Sequence, residues 1–390
     1  MSSRRLSIFF AAAVAAVFVA AADFCLGISP QLNANGSNSA LLYNARSHRD
    51  PSGAPRAVVA RGSDGVRSEL PSNDQMLDGI QSALLIYNLS CGRRRNSRFA
   101  EIEEGTRILN AAGIRTELAP TTGRGSATGI ARHAVAQNRE LVIACGGDGT
   151  VNEVINGLAG SNVPMALLPA GTANILAKEL GIPWNIPAAA RMIPTSSMRR
   201  IALGSVMNAS AEGRVEESQG CRYFLCVAGA GPDGAMVQAV DPALKDRAGI
   251  MAFWAEGVRQ IVKYTFPKMS ISRAQSNLSA TLIVVGRTAN YGGPFKITTG
   301  ASLFNDDFEI VAYTTGSRFR YLIALPALFA GQLRKMKGIF AWKTREVTCL
   351  PANGETVYAQ VDGEPVGTLP LHFRIVPDAL TLVVPTAAPV

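Results

Sequence analysis

From residue 82 onward, short apolar runs alternate with stretches whose apolar residues recur at helical spacing. "SALLIYN" (82–88), "IRTELAP" (114–120), "LVIAC" (141–145) and "PMALLPA" (164–170) have the length and composition of strands. Helical patterns lie between them, from Phe99 to Ala112, in "ATGIARHAVAQN" (127–138), in "VNEVINGLAG" (151–160) and in "GTANILAKELG" (171–181). Strands alternating with helices predict a doubly wound parallel sheet, in which ligands collect at the carboxyl ends of the strands. That rule brings Asn88, Ser90 and Gly92, Thr121, Gly146–Thr150, Gly171 and Thr172 to one edge. From about residue 201 the pattern changes to "IALGSV", "YFLCVA", "ATLIVVG", "FEIVAY", "VTCLP", "TVYAQVDG", "LHFRIVP" and "LTLVVP". Short alternating runs of this kind predict an antiparallel β-sandwich, interrupted by helices near 235–263 and 319–336. The organisation read from the pattern is an α/β domain over 81–200 and a β-sandwich domain over 201–390.

The beginning of the chain reads differently. Arg4 and Arg5, an apolar stretch from Ile8 to Ala22 and the Ala20-Ala21-Ala22 ending make residues 1–28 a signal-like or anchor segment. Residues 29–80, rich in Ser, Asn, Gly, Pro and Arg, read as a disordered linker.

Composition narrows the chemistry. A chain of 390 residues, 47% hydrophobic and 17% charged, describes two globular domains with large cores. The cysteines at 25, 91, 145, 221, 226 and 349 form no C-x-x-C pair, and the histidines at 48, 133 and 372 are scattered. No zinc site and no Ser-His-Asp arrangement is indicated, and Cys145 and Cys226 read as buried thiols in a reducing compartment. Part of the net charge of +9 is concentrated in Arg318, Arg320, Arg334, Lys335, Lys337, Lys343 and Arg345. These residues bracket the apolar "YLIALPALFAG" (321–331), with Trp342 nearby, which suits an anionic membrane surface. An internal helix with solvated basic ends fits the same residues. Nucleic acid is not indicated, since no aromatic platform accompanies the charge.

The most informative run is Gly146-Gly147-Asp148-Gly149-Thr150, between a strand and a helix. Glycines let the backbone approach an anion, and the helix that follows presents unpaired N–H groups and the positive end of its dipole. Asp148 would repel polyphosphate unless a cation lay between them, which implies Mg2+. No G-x-x-x-x-G-K-[ST] occurs. A G-x-G-x-x-G at Gly229, Gly231 and Gly234 carries Pro232 inside and has no strand within the span a dinucleotide unit needs. It reads instead as a strand-to-helix turn, at a domain junction.

Three separated motifs, "GGDGTVNEVINGL", "LPAGTANILAKELGIP" and "QVDGEP", resemble the diacylglycerol kinase catalytic family, in particular its soluble bacterial lipid kinases and their sphingosine kinase relatives. The resemblance spans roughly residues 82–385. It implies an NAD-kinase-like α/β domain, a β-sandwich and ATP in the cleft between them. It further implies that Asn88, Leu89, Ser90, Cys91, Gly92, Thr121, Gly146, Gly147, Asp148, Gly149, Thr150, Val151, Asn152 and Thr172 line the nucleotide. "ASLFNDDFEIV" (301–311) resembles the family segment that holds a structural magnesium, with Asp306 as side-chain ligand and Leu303 and Phe308 as carbonyl ligands. Phosphoryl transfer needs a base or orienter for the attacking hydroxyl. Asp362 is assigned that role, with Glu364 orienting it or sharing it, and Asp148 the cation. The "DG" within this motif is, on its own, an ordinary hairpin turn.

Two departures stand out. Leu89 replaces a proline of the first loop, and Ile175 stands where many relatives carry an aspartate, which puts magnesium handling in question. The expected activity is ATP-dependent phosphorylation of a lipid hydroxyl at a membrane surface. A regulator that binds without turnover is the alternative, and an NAD kinase a weaker one. A homodimer is left open. Exported proteins meet neither ATP nor a reducing milieu, so residues 1–28 either anchor a cytoplasmic protein to the inner face of the membrane or precede a true start such as Met76.

Overall fold

The computed structural model describes residues 75–77, 79–89, 95–216, 220–239, 263–273, 276–292, 295–329 and 331–386. The signal-like segment, most of the linker, the loop residues Ser90, Cys91 and Gly92, and Arg93 and Arg94 lie outside them, as does the stretch 240–262 expected to be helical.

The first half follows the alternation of its sequence. After the short β1 (Gln75–Met76) come β2 (Ser82–Tyr87), α1 (Arg95–Ala111), β3 (Arg115–Pro120), α2 (Ser126–Ala136) and β4 (Val142–Gly146). Then follow α3 (Asp148–Leu158), β5 (Met165–Pro169), α4 (Ile175–Glu179) and α5 (Ile186–Met192). Strands β3, β2, β4 and β5 lie side by side and parallel. Residues 83–87, 142–146 and 165–169 are buried throughout, because helices cover both faces of such a sheet. Helix α3 starts at Asp148, earlier than the apolar pattern suggests, so the aspartate belongs to the first helical turn. Helix α4 is shorter than its pattern, because residues 170–174 form a loop ahead of it.

The second half contains β6 (Ser197–Asn208), β7 (Arg222–Phe224), β8 (Val227–Ala230), α6 (Pro232–Ala239), β9 (Met269–Ile271) and β10 (Leu278–Ala280). It continues through β11 (Leu282–Gly286), β12 (Asn290–Gly292), β13 (Phe295–Lys296), β14 (Phe308–Tyr313) and α7 (Arg318–Phe329). Strands β15 (Ile339–Thr344), β16 (Glu346–Pro351), β17 (Tyr358–Val361), β18 (Glu364–Thr368) and β19 (Leu371–Val384) complete it. The glycines at 229, 231 and 234 form the turn from β8 into α6, as a strand-to-helix junction rather than a dinucleotide site. One sheet of the sandwich runs β15-β14-β11-β8-β17-β18, and the other contains β10, β9, β16, β19, β6 and β7. Between them Phe224 stacks on Phe308 at 5.7 Å and meets Phe373 edge-on at 6.4 Å. The Phe224 ring lies so close to Gly204 that a Cβ there would come within 2.4 Å of it.

The two halves are joined by more than a linker. Strand β19 pairs antiparallel with β6 along both its segments, Leu371–Val376 and Leu380–Val384. Near its end Leu382 pairs in parallel register with Met165 of β5. The final run "LTLVVP" therefore contributes to the sheet of the α/β half, while "LHFRIVP" serves the sandwich. A Leu382→Ala substitution is expected to cost about 3 kcal/mol and lower the melting temperature by several degrees, since Leu382 is fully buried at this junction. The exposed Thr368→Ala serves as control. Equal melting of the two variants would refute a supporting role for the shared strand.

Candidate functional site

The carboxyl edge of the parallel sheet and the β17–β18 hairpin face one another. On the sheet side, Gly147 precedes α3 with no side-chain cap, so the N–H groups of the first turn lack intrahelical partners. Asn88 at the end of β2 donates from Nδ2 to Oγ1 of Thr150 at 3.3 Å, and the Thr121 amide donates to the Tyr87 carbonyl at 2.9 Å. The 170–174 loop packs against the glycine run: a Cβ on Gly171 would lie 2.4 Å from the Cα of Gly147. Asn174 adopts φ 44° and both accepts from the Gly171 amide (2.8 Å) and donates to its carbonyl (3.0 Å). Arg98 is buried and donates to the Ala170 carbonyl at 3.0 Å. It braces this loop from behind. Thr172 is exposed at the loop's tip, and Leu89 is exposed at the end of β2.

The hairpin side is organised by one carboxylate. Asp362 and Gly363 form a two-residue turn with φ of 46° and 79°, the left-handed pair a tight hairpin requires. Asp362 is buried. Its Oδ1 accepts from the amides of Cys226 and Val227, and its Oδ2 from the Leu225 amide and Asn152 Nδ2, all at 2.9 Å. Asn152 projects from α3, so this carboxylate ties α3 to the start of β8. Glu364 stands at the rim. It pairs with Arg124 from the β3–α2 connection, and its Oε1 lies 3.2 Å from the position a Cβ on Gly149 would take.

Asp148, Asn152, Ile175, Leu225, Cys226 and Asp362 are among the residues lining a narrow crevice between the halves. Burial pushes Asp148 above the ordinary carboxylate range and the charge of Asp362 adds to this, while the Ile175 amide, donating to Asp148 Oδ1 at 2.7 Å, opposes it. Burial likewise raises Asp362 against its hydrogen bonds. Two carboxylates crowded in this way favour a cation beside them. Cys226 is pushed well up by burial and by both aspartates, so it is a protonated thiol and no nucleophile. Burial holds Lys178 of α4 below its usual value, with Lys296 adding to the effect.

Of the residues expected from the sequence, Asn88, Thr121, Gly146–Asn152, Asp362 and Glu364 come together here. Leu303 and Asp306 sit in a separate loop before β14 and Phe308 is that strand's first residue; the Leu303 carbonyl accepts from Arg287 Nη2 at 2.7 Å. Several participants were not legible in the sequence: the 225–227 amides, Arg124, and Glu179, which accepts from the amides of Ala289 (3.1 Å) and Asn290 (3.3 Å) and so clasps the second half. Only the acidic side chain near the end of "NILAKELG" hinted at the last.

Comparison with known proteins agrees with this architecture. A family profile described as "Diacylglycerol kinase catalytic domain" matches residues 82–206, and one described as "YegS C-terminal NAD kinase beta sandwich-like domain" matches residues 226–384. A diacylglycerol kinase of Bacillus subtilis (strain 168) is 27% identical over 299 residues, covering 75% of this chain and 93% of that one. One of Staphylococcus aureus (strain MRSA252) is 26% identical over 295 residues, covering 75% and 88%. A crystal structure of a diacylglycerol kinase from Bacillus anthracis str. Sterne superposes with a TM-score of 0.60 at 19% identity, covering 80% of this chain and 99% of that one.

Behind the hairpin, Asp233 of α6 accepts from Gln360 Nε2 at 2.8 Å and from the Tyr291 hydroxyl, and Gln360 in turn accepts from the Gly363 amide at 2.8 Å. Burial raises the Asp233 carboxyl to about 7. A raised folded-state value means that its contribution to stability is complete below the unfolded value and is lost as pH rises through about 7. Wild-type protein should therefore lose stability relative to Asp233→Asn between about pH 4 and pH 7, by a few kcal/mol. Parallel pH–stability curves for the two proteins would contradict a protonated Asp233.

Proposed function

The chain belongs to the diacylglycerol kinase catalytic family, and we propose that it transfers the γ-phosphate of ATP to the hydroxyl of diacylglycerol or a related lipid, with Mg2+ as cofactor. The observation that carries this reading is the meeting of Glu364 with the uncapped first turn of α3 across Gly149. It brings a carboxylate from one half of the molecule to the anion-binding helix end of the other.

The residues fit distinct parts of the reaction. The glycines and first-turn amides of α3 suit the phosphates, and Asn88, Thr121 and the 170–174 loop suit the rest of the nucleotide. The crowded carboxylates fit a cation, and Asp148 is its natural holder. When bound, magnesium neutralises phosphate charge. Residue 175 brings no carboxylate to this site, and its amide orients Asp148. The base role divides differently from the expectation that Asp362 takes the proton. Both Asp362 oxygens are engaged by four donors, which fits an organiser of the turn. Glu364, partly exposed at the cleft, fits acceptance of the proton from the lipid hydroxyl. Arg124 opposite it fits the control of its orientation.

The acceptor's class is supported by the surface around α7. Among the described residues no helix is long and apolar enough to cross a membrane. Yet Phe319, Ile323 and Phe340 are exposed among Arg318, Arg320, Lys335, Lys337 and Lys343. This is the mixture that suits docking on an anionic bilayer. Arg334 contributes less, being paired with Glu309 at 2.8 Å. Its other partner is Thr299, which accepts from it at 3.1 Å.

With diacylglycerol in mixed micelles, Glu364→Gln is expected to lower kcat by roughly 10²–10⁴-fold with little change in ATP affinity. Asp148→Ala should abolish turnover while leaving the fold intact. Asp362→Asn should lose both activity and thermal stability, because an amide cannot accept from all four donors. Wild-type kcat in Glu364→Gln would refute the base assignment, and absence of phosphorylation of any glycerolipid, sphingoid base or polyprenol by wild type would refute the lipid kinase itself. Neutralising Arg320, Lys335 and Lys337 together should weaken sedimentation with phosphatidylglycerol vesicles roughly tenfold or more at low salt. Unchanged sedimentation would assign the segment to internal structure.

A further inference from the structure

The loop before β14 contains a charge of its own. Arg287, immediately after β11, is fully buried. Its Nη2 donates to the carbonyls of Leu303 (2.7 Å) and Ala202 (2.9 Å), and its Nη1 to those of Asn305 (2.5 Å) and, at 3.4 Å, Asp307. A guanidinium keeps its proton in proteins and has donors but no acceptor. The side chain is therefore cationic at neutral pH.

Carbonyl oxygens converging beside carboxylates are the donor set of a hard divalent cation. They are also what a guanidinium satisfies, since its planar fork carries five donors and no acceptor. One site does not hold both. A metal ligated by the Leu303 oxygen would stand within a few ångström of the Arg287 charge, in surroundings where water screens little. The expected side-chain ligand, Asp306, is exposed, while the Leu303 carbonyl belongs to a buried residue facing the guanidinium. The donors at 303, 306 and 308 thus do not fit the structural magnesium that the family resemblance implies.

We propose that Arg287 is the resident cation of the 301–308 loop, and that this protein fixes with a side chain what the family resemblance assigns to a structural magnesium there. The consequence reaches the cleft. Arg287 opens the segment Arg287–Asn290, whose amides at 289 and 290 receive Glu179, and Glu179 closes the helix whose first amide holds Asp148. The guanidinium therefore anchors the far end of a chain of contacts that ends at the phosphate loop. The proposal concerns the loop alone and does not rest on the kinase reading.

Metal analysis and melting of the full chain test it without an activity assay. Wild-type protein stripped with EDTA, reloaded with MgCl2 and gel-filtered should retain well under one equivalent of magnesium. In the absence of nucleotide, its melting temperature should be the same in EDTA as in MgCl2. Asp306→Ala should melt as wild type does in both buffers. One retained equivalent that Asp306→Ala removes, or a magnesium-dependent rise in melting temperature that Asp306→Ala removes, would overturn the proposal. Arg287→Met, which leaves the carbonyls without their cation, should melt roughly 5 °C or more below wild type, with Arg287→Lys in between. Wild-type-like melting of Arg287→Met would overturn it as well. The wild-type measurements stand even where that variant does not fold.

Discussion

The arrangement of this molecule around its cleft depends on the carboxylate of Asp362. The amides of three successive residues, 225–227, point at it, and a bend that aims three N–H groups inward is costly unless one acceptor satisfies them. The same carboxylate receives Asn152, fixing α3 against the start of β8. An aspartate suits the place for two reasons. It tolerates the left-handed conformation of the turn, and its two oxygens carry enough lone pairs for four donors. The hairpin, the bend at 225–227 and the orientation of the phosphate-loop helix are consequences of one buried charge meeting main-chain dipoles.

The same device recurs. Asp148 takes the Ile175 amide, Glu179 those of 289 and 290, Arg98 the Ala170 carbonyl and Arg287 the carbonyls around 303. In each case a charged side chain engages backbone groups, and Arg98 pairs with Glu101 at 3.0 Å as well. Charge-assisted bonds to main chain are short and directional, and they fix loops whose backbone polar groups no strand or helix would pair. A cleft built from loops at the ends of two sheets needs such fixing more than a core does.

Much of this was legible in the sequence. The parallel strands were, because burial on both faces leaves unbroken apolar runs such as "LVIAC". The glycine run was as well, since few other arrangements explain an aspartate among glycines between strand and helix. Less visible was the difference in surroundings between Asp362 and Glu364, because spacing does not reveal how many donors a carboxylate will meet. Arg287 and Glu179 were silent for the same reason: their partners are carbonyls and amides, which every residue carries. The dual membership of β19 was hidden because "LTLVVP" looks the same whether its neighbour runs parallel or antiparallel.

That strand has a mechanical consequence. Enzymes whose two halves meet only through a flexible linker open by hinge rotation about it. Here β6 and β19 form a paired ribbon that passes, with one shift of register between Val376 and Leu380, from the sandwich into the sheet of the α/β half, with β19 also bonded to β5. Bending such a ribbon in its plane would break its ladder, whereas twisting it is soft, as for any two-stranded ribbon. The compliant motion between the halves is therefore a torsion about the long axis of the pair.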